Sequence, residues 1–189
     1  MEILKQRILK EGICLPGNIL KVDSFLNHQI DPQLIFAMGS EFAQRFADEK
    51  IDKVVTVETS GIAVAMAVAA ELGTKLVFAR KSRSLLMEED RYSCSVNSFT
   101  KKETNTVSIL KKFLLPGERI LIVDDFLANG NAALGLCNIV EQGGGKVRGI
   151  GIVIEKSFMD GATKIRNAGY RLESLVQVTS LAGGKIEFL

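Results

Sequence analysis

Short apolar runs alternate along this chain with longer stretches in which apolar residues recur at helical spacing. Runs that fit buried strands lie at 54–57, 75–79, 120–123, 147–154 and 171–178. Segments with helical spacing lie at 1–11, 31–48, 62–72, 131–141 and 162–168. Strands that alternate with helices predict an α/β fold with a mainly parallel twisted sheet and helices on both faces.

Local signals mark several element boundaries. Asp31 and Pro32 suit the start of a helix, and Gly73 suits the end of the helix at 62–72. In the first helix, Ile3, Leu4, Ile8 and Leu9 are predicted to form one apolar face, and residues 19–27 to form a short strand followed by a turn.

The central feature runs from the buried strand at 120–123 into Asp124 and Asp125, a turn of small residues and a helix. Ligands of α/β proteins bind at the carboxyl ends of such strands. The turn comprises Ala128, Asn129, Gly130, Asn131 and Ala132, and no side chain in it is large. Free N–H groups at the helix start suit a phosphate, and the two carboxylates suit sugar hydroxyls or a divalent cation.

Two further strand ends carry groups that suit anions. The strand at 54–57 enters a turn with Ser60 and Gly61 before the next helix. The strand Lys75–Ala79 is followed by Arg80 and Lys81. Because parallel strands end at the same edge of a sheet, these residues are predicted to lie near the acid pair.

Composition narrows the class of protein. The 189 residues fit one domain, with 47% hydrophobic and 24% charged residues, as in an ordinary globular protein. A net charge of +2 does not suggest a nucleic-acid binder. The apolar run at 62–70 is too short to span a membrane, and residues 1–15 lack a signal-peptide pattern. Three scattered cysteines indicate neither disulfides nor a zinc site, so we expect a cytoplasmic protein.

Residues 84–106 are polar and have weak strand character. A long segment of this kind inside one domain is uncommon unless it has a function. We predict that it is a mobile lid that excludes water from the site.

The segment from Val123 to Gly130 resembles the phosphate-binding loop of type I phosphoribosyltransferases, closest to their adenine and xanthine branches. The resemblance implies that the loop 128–132 holds the 5′-phosphate of phosphoribosyl pyrophosphate (PRPP), and that Asp124 and Asp125 bind the ribose hydroxyls. Ser60, Gly61, Arg80 and Lys81 would bind pyrophosphate, with Mg²⁺ bound together with PRPP. The family usually has Thr at the positions of Asn129 and Ala132, so here backbone N–H groups would hold more of the phosphate.

The resemblance covers residues 1–189 as one domain, including a small hood formed by residues 1–30 and the C-terminal segment. It implies that Leu20 packs on a purine base while Asn27 and Lys156 bind its oxo groups. A lysine donates hydrogen bonds and accepts none, which favours an oxopurine such as xanthine over adenine. The Arg80–Lys81 loop implies a homodimer, because in the adenine branch it reaches the neighbouring subunit's site.

No catalytic base is assigned, because Ala128 stands where the hypoxanthine–guanine branch has a carboxylate. Guanine or hypoxanthine remains an alternative base. A non-catalytic PRPP-sensing regulator is a second alternative, although the first 50 residues lack a basic recognition helix. A Rossmann-type methyltransferase is a third, but the turn 58–61 supplies one glycine only.

Overall fold

The computed structural model describes residues 1–81, 90–97 and 104–189. Its strands are β1 (Ile13–Leu15), β2 (Ile19–Lys21), β3 (Lys53–Val57), β4 (Lys75–Ala79), β5 (Arg91–Asn97), β6 (Thr104–Leu110), β7 (Arg119–Leu127), β8 (Lys146–Lys156), β9 (Leu172–Ser180) and β10 (Glu187–Phe188). Its α-helices are α1 (Glu2–Glu11), α2 (Pro32–Arg45), α3 (Gly61–Glu71), α4 (Asn131–Gln142) and α5 (Gly161–Asn167).

A six-stranded sheet in the order β10-β9-β8-β7-β3-β4 forms the centre of the fold. All neighbouring strands are parallel except β10, which is antiparallel to β9. From β3 the chain proceeds to β4 on one side, and from β7 it proceeds to β8 and β9 on the other. The order therefore reverses between β3 and β7, and the carboxyl ends of these two strands border a crevice where α/β proteins bind ligands.

Apolar side chains cover both faces of the sheet, as the alternation of strands and helices along the chain predicts. One cluster includes Leu4 and Ile8 of α1 together with side chains of α2 and α3. The other includes side chains of α4 and α5 and of the strand β6. The mainly parallel α/β fold with helices on both faces is thus confirmed.

None of the helices within the described ranges has the length and apolar character needed to cross a membrane.

The central strand is longer than its apolar run. β7 continues through Asp124 and Asp125 to Leu127, because it pairs with β8 as far as Leu127 and Glu155. Its pairing with β3 ends at Val55 and Ile122. The last residues of β7 therefore have a strand on one side only, and on the other side the acid pair borders the crevice.

The hood is an N-terminal cap joined to the C-terminal strands. The Met1 ammonium donates to the Leu175 carbonyl at 2.7 Å, and Lys5 Nζ donates to the Leu189 carbonyl at 2.7 Å. The predicted apolar face of α1 was half wrong: Leu4 and Ile8 are fully buried, whereas Ile3 and Leu9 are 59% and 52% exposed. The α1 helix thus buries a narrow stripe only.

Residues 19–27 form β2 and then a π-helix over Asp23–Asn27, where a simple turn was predicted. The π-helix buries Phe25 and Leu26 in the core. At the start of α2, Asp31 accepts hydrogen bonds from the N–H groups of Gln33 and Leu34, which confirms the predicted cap.

Part of the segment predicted as a lid, 84–106, belongs to two paired strands. β5 and β6 pair antiparallel, with Arg91 opposite Leu110. Cys94 and Val96 of β5 lie against α4 at Gly135, where an added Cβ would meet them at 2.8 and 2.7 Å. Residues 84–89 and 98–103 of the predicted lid lie outside the described residues.

Candidate active site

The acid pair lies at the floor of the crevice. Asp124 is 6% exposed, and the N–H of Asp125 donates to its Oδ1 at 3.0 Å. Burial, and then the neighbouring charge of Asp125, raise the pKa of Asp124 well above its usual range. Burial also raises the pKa of Asp125. Hydrogen bonds with the side chains of Asp124 and Asn27 act to lower this pKa, but burial outweighs them. The carboxylates are therefore poorly solvated without a ligand and suit hydroxyl donors.

The loop after β7 has the backbone form that the small residues predict. Gly130 adopts φ 80°, a left-handed conformation that favours glycine. The N–H of Asn131 donates to Asn129 Oδ1 at 3.1 Å, and the N-cap Gly130 has no side chain to bond the N–H groups that follow. The first turn of α4 consequently offers backbone N–H groups to an anion.

Gly161, a residue that the sequence analysis missed, supports this loop from behind. Its N–H donates to the Ala128 carbonyl at 3.1 Å. A Cβ at Gly161 would overlap the same carbonyl and lie 2.8 Å from the nitrogen of Gly130. The only local signal is a glycine in the turn after β8, which does not reveal a contact with a loop 31 positions earlier.

The turn between β3 and α3 reaches the acid pair directly. A Cβ at Gly61 would lie 2.7 Å from Asp124 Oδ1 and would overlap Thr56 Oγ1. The start of α3 can lie this close to Asp124 because position 61 has no side chain. Ser60 precedes α3 and makes no capping hydrogen bond with its side chain. The peptide bond between Glu58 and Thr59 is cis.

Arg80 and Lys81 are linked to this turn through Glu58, which the sequence analysis did not assign. The Lys81 N–H donates to Glu58 Oε1, and Arg80 Nε lies 3.9 Å from Glu58 Oε2. The charge of Lys81 acts to lower the pKa of Asp124, although burial outweighs it. The Arg80 side chain is 62% exposed. Two cations therefore lie at the edge of the crevice, with Lys81 the nearer to the acid pair.

Lys156 connects β8 to the hood. Its Nζ donates to the Asn18 carbonyl at 2.8 Å and lies 5.7 Å from the centre of the Phe126 ring. Burial lowers its pKa. Leu20, in the strand that follows Asn18, is 5% exposed. Phe126 was not predicted as a site residue because aromatic side chains in a strand most often belong to the core.

The predicted residues therefore form two connected groups at the carboxyl edge of the sheet. Gly61, Lys81 and Asn27 act on the acid pair, and Gly161 supports the loop 128–132 beside it. On the hood side, Lys156 lies over Phe126, which is two residues beyond Asp124 on β7.

The site also fits a magnesium ion that arrives with a phosphorylated substrate. Within the described ranges there is no group of three or more His, Cys, Asp or Glu side chains able to hold a metal. Mg²⁺ is usually held by one or two carboxylates together with substrate phosphates and water. Asp124 and Asp125 supply that number of carboxylates.

Comparison with known proteins gives a consistent family. The phosphoribosyl transferase domain model matches residues 24–168. A protein of Bacillus cytotoxicus named xanthine phosphoribosyltransferase is 56% identical over 189 residues, covering 100% of this chain and 96% of the relative. A protein of the same name from Bacillus thuringiensis is 53% identical with the same coverage.

A solved structure agrees with this match. The adenine phosphoribosyltransferase of Rhodothermus marinus has a TM-score of 0.75 at 24% identity, over 94% of this chain and 99% of that chain. At this identity the likeness concerns the fold alone. The chain therefore belongs to the phosphoribosyl transferase family, whose members are pentosyltransferases.

Proposed function

We propose that the protein is a xanthine phosphoribosyltransferase, which transfers the 5-phosphoribosyl group of PRPP to xanthine and releases XMP and pyrophosphate in purine salvage. The observation that carries the proposal is the full-length identity of 56% to a protein of that name. The position of Lys156 beside the acid-pair crevice supports it.

Lys156 accounts for the choice of base. One of its three N–H groups donates to the Asn18 carbonyl, so the others remain for an acceptor on the ligand. A 6-oxo group is such an acceptor, whereas the 6-amino group of adenine is not. Asn27, close to Asp125, binds a second oxo group, and Leu20 packs on the ring. Phe126 provides apolar surface below Lys156.

PRPP occupies the other half of the crevice. The loop 128–132 and the start of α4 hold the 5′-phosphate through backbone N–H groups. Asp124 and Asp125 hold the ribose hydroxyls, while Ser60, Gly61, Arg80 and Lys81 face pyrophosphate. Mg²⁺ bound with PRPP neutralises the pyrophosphate charge. The two carboxylates would reach the ribose hydroxyls directly or through the water shell of that ion.

The protein contributes mainly orientation and charge stabilisation. The purine nitrogen bonds to C1 of the ribose as the bond from C1 to pyrophosphate breaks. Displacement at C1 of the ribose passes through a transition state that resembles an oxocarbenium ion. The protein aligns the purine nitrogen with C1 between the two binding halves. A lid formed by residues 84–106, which include β5 and the first residues of β6, excludes water during transfer. Ala128 supplies no carboxylate, so we assign no base for the purine proton.

We further propose that the protein is a cytoplasmic homodimer. The Arg80 side chain extends largely into solvent at the edge of the crevice. A second copy of the chain beside this edge gives Arg80 and Lys81 access to a pyrophosphate in the neighbouring site. This is the arrangement that the resemblance to the adenine branch implies.

A pair of lysine variants tests the base assignment. Lys156→Met removes the donors and keeps the length of the side chain, and Lys146→Met makes the same change at the exposed opposite end of β8. We expect Lys156→Met to raise the KM for xanthine about tenfold or more, the effect of one lost hydrogen bond to a charged group. The Kd for PRPP and the kinetics of Lys146→Met should stay unchanged. An unaltered KM for xanthine in Lys156→Met would refute the assignment.

A further inference from the structure

Glu155 is a deeply buried carboxylate with no role in the site described above. It is 2% exposed, although it lies at the carboxyl end of β8 beside Lys156. The nearest cation is the guanidinium of Arg166, whose Nη2 lies 4.0 Å from Glu155 Oε2 on a side chain that is 51% exposed. Burying a carboxylate without close pairing is costly, so its neutral partners must compensate.

Three neutral side chains donate hydrogen bonds to this carboxylate. Ser157 Oγ donates to Oε1 at 2.8 Å. From the neighbouring strand β9, Ser174 Oγ and Gln177 Nε2 donate to Oε2 at 2.6 and 3.2 Å. An ionised carboxylate accepts at both oxygens, so it matches this set of donors. Glu155 thereby fastens the end of β8, and the turn that follows, to β9.

That turn joins the two halves of the site. It begins at Lys156, whose Nζ contacts the hood, and it ends at Gly161, whose N–H donates to Ala128 in the phosphate loop. Within it, Met159 N–H donates to the Lys156 carbonyl at 2.9 Å, and Ser157 N–H donates to Val178 at 2.9 Å. A short, hydrogen-bonded turn of this kind transmits the position of one end to the other.

We propose that Glu155 is a positioning residue that holds the turn 157–161, so that Lys156 faces the base and Gly161 supports the phosphate loop. The inference rests on the proposed function for the identity of the ligands. Glu155 touches neither ligand. It acts through its hydrogen bonds to Ser157, Ser174 and Gln177.

The matched control is Glu118, a partly buried carboxylate whose side chain is 19% exposed. Glu118 accepts hydrogen bonds from Lys53 Nζ at 2.6 and 2.7 Å, at the amino end of the strands, away from the crevice. Glu155→Gln and Glu118→Gln each replace a carboxylate by an amide of the same size. Both are expected to lower the Tm, since each leaves buried donors mismatched.

Only Glu155→Gln should change the site. We expect it to raise the KM for both the purine and PRPP, each by about tenfold, with a smaller change in kcat. Glu118→Gln should leave both KM values unchanged. Ser157→Ala, which removes one donor and keeps the rest, gives the same signature more weakly and serves if Glu155→Gln does not fold. KM values within twofold of wild type in both Glu155→Gln and Ser157→Ala would overturn the proposal.

A second measurement is independent of the substrate. Hydrogen exchange of the Gly161 amide reports its bond to Ala128, and we expect Glu155→Gln to speed this exchange by about tenfold relative to Glu118→Gln. Equal exchange in the two variants would overturn the positioning role. If the wild type uses a base other than xanthine, the proposed function fails while the exchange result still decides the role of Glu155.

Discussion

Asp124 is a proposed binding residue whose burial lowers the stability of the folded protein. It is buried against Gly61 and Asp125, and burial raises its pKa well above 3.8. Below its usual pKa the carboxyl group is protonated in both the folded and the unfolded state. As the pH rises above that value the unfolded chain loses the proton first, so folding stability falls until the folded-state pKa is passed.

Asp124→Asn should therefore stabilise the ligand-free protein. The amide oxygen can still accept the Asp125 N–H, and the buried charge is gone. We expect the free energy of unfolding at pH 7 to rise by roughly 1 kcal/mol or more, with a smaller gain at pH 4. Urea unfolding at the two pH values measures this. The affinity for PRPP should fall in the same variant, because a carboxylate that accepts from ribose is lost.

A variant at Asp48 supplies the control for this pH effect. Asp48→Asn removes a carboxylate whose pKa is lowered by the hydrogen bond from Arg171. Its contribution has the opposite sign, so the loss of stability should be larger at pH 7 than at low pH. A destabilised Asp124→Asn protein at pH 7 would contradict the account of the acid pair.

At the scale of elements, the sequence predicts strands and helices well where the pattern is local. The helix α2 begins at Pro32, directly after its N-cap Asp31, as these two residues predict. The extension of β7 through Asp125 was not predictable, because it depends on pairing with β8. The strands β5 and β6 were missed for a similar reason, since the segment 84–106 is mostly polar and the contacts of Cys94 and Val96 with Gly135 of α4 join distant parts of the chain.

The site residues also divide into those that a local sequence pattern predicts and those that depend on contacts between distant segments. The acid pair, the small-residue loop and Gly61 follow from strand–turn–helix patterns in the sequence. The support from Gly161, the role of Glu58 beside Lys81 and the ring of Phe126 below Lys156 depend on contacts between distant segments. Residues that position others leave little local signal.

Two glycines at or just beyond the ends of α5 can be substituted to test whether Gly161 supports the loop 128–132. Gly161→Ala places a methyl group against Ala128 and Gly130, so the loop must shift. We expect the KM for PRPP to rise about tenfold or more, since small displacements of a binding group are costly. The KM for the purine should change less.

Gly169→Ala is the matched substitution beyond the other end of α5. Gly169 has φ 86° and open space around its Cα, so the variant introduces backbone strain alone. It should lower stability by about 1 kcal/mol without changing the KM for PRPP. Equal effects of the two variants on this KM would show that the loop does not depend on Gly161.

At the scale of the whole molecule, the crevice between β3 and β7 gathers groups from the ends of β3, β4, β7 and β8 and from the hood. The proposed homodimer adds a second copy beside Arg80. Sedimentation equilibrium at assay concentrations should give twice the 20.6 kDa mass of one chain. A fully active monomer under the same conditions would contradict the dimer and the role of Arg80 and Lys81 across it.

The most direct test of the account is a purine panel. Xanthine, guanine, hypoxanthine and adenine are each supplied with PRPP and Mg²⁺, and the formation of nucleotide and pyrophosphate is followed. We expect xanthine to have the highest kcat/KM and adenine to have the lowest, because Lys156 donates hydrogen bonds and accepts none. Preferred turnover of adenine or guanine would contradict the base assignment, and tight PRPP binding without turnover of any base would indicate a regulator.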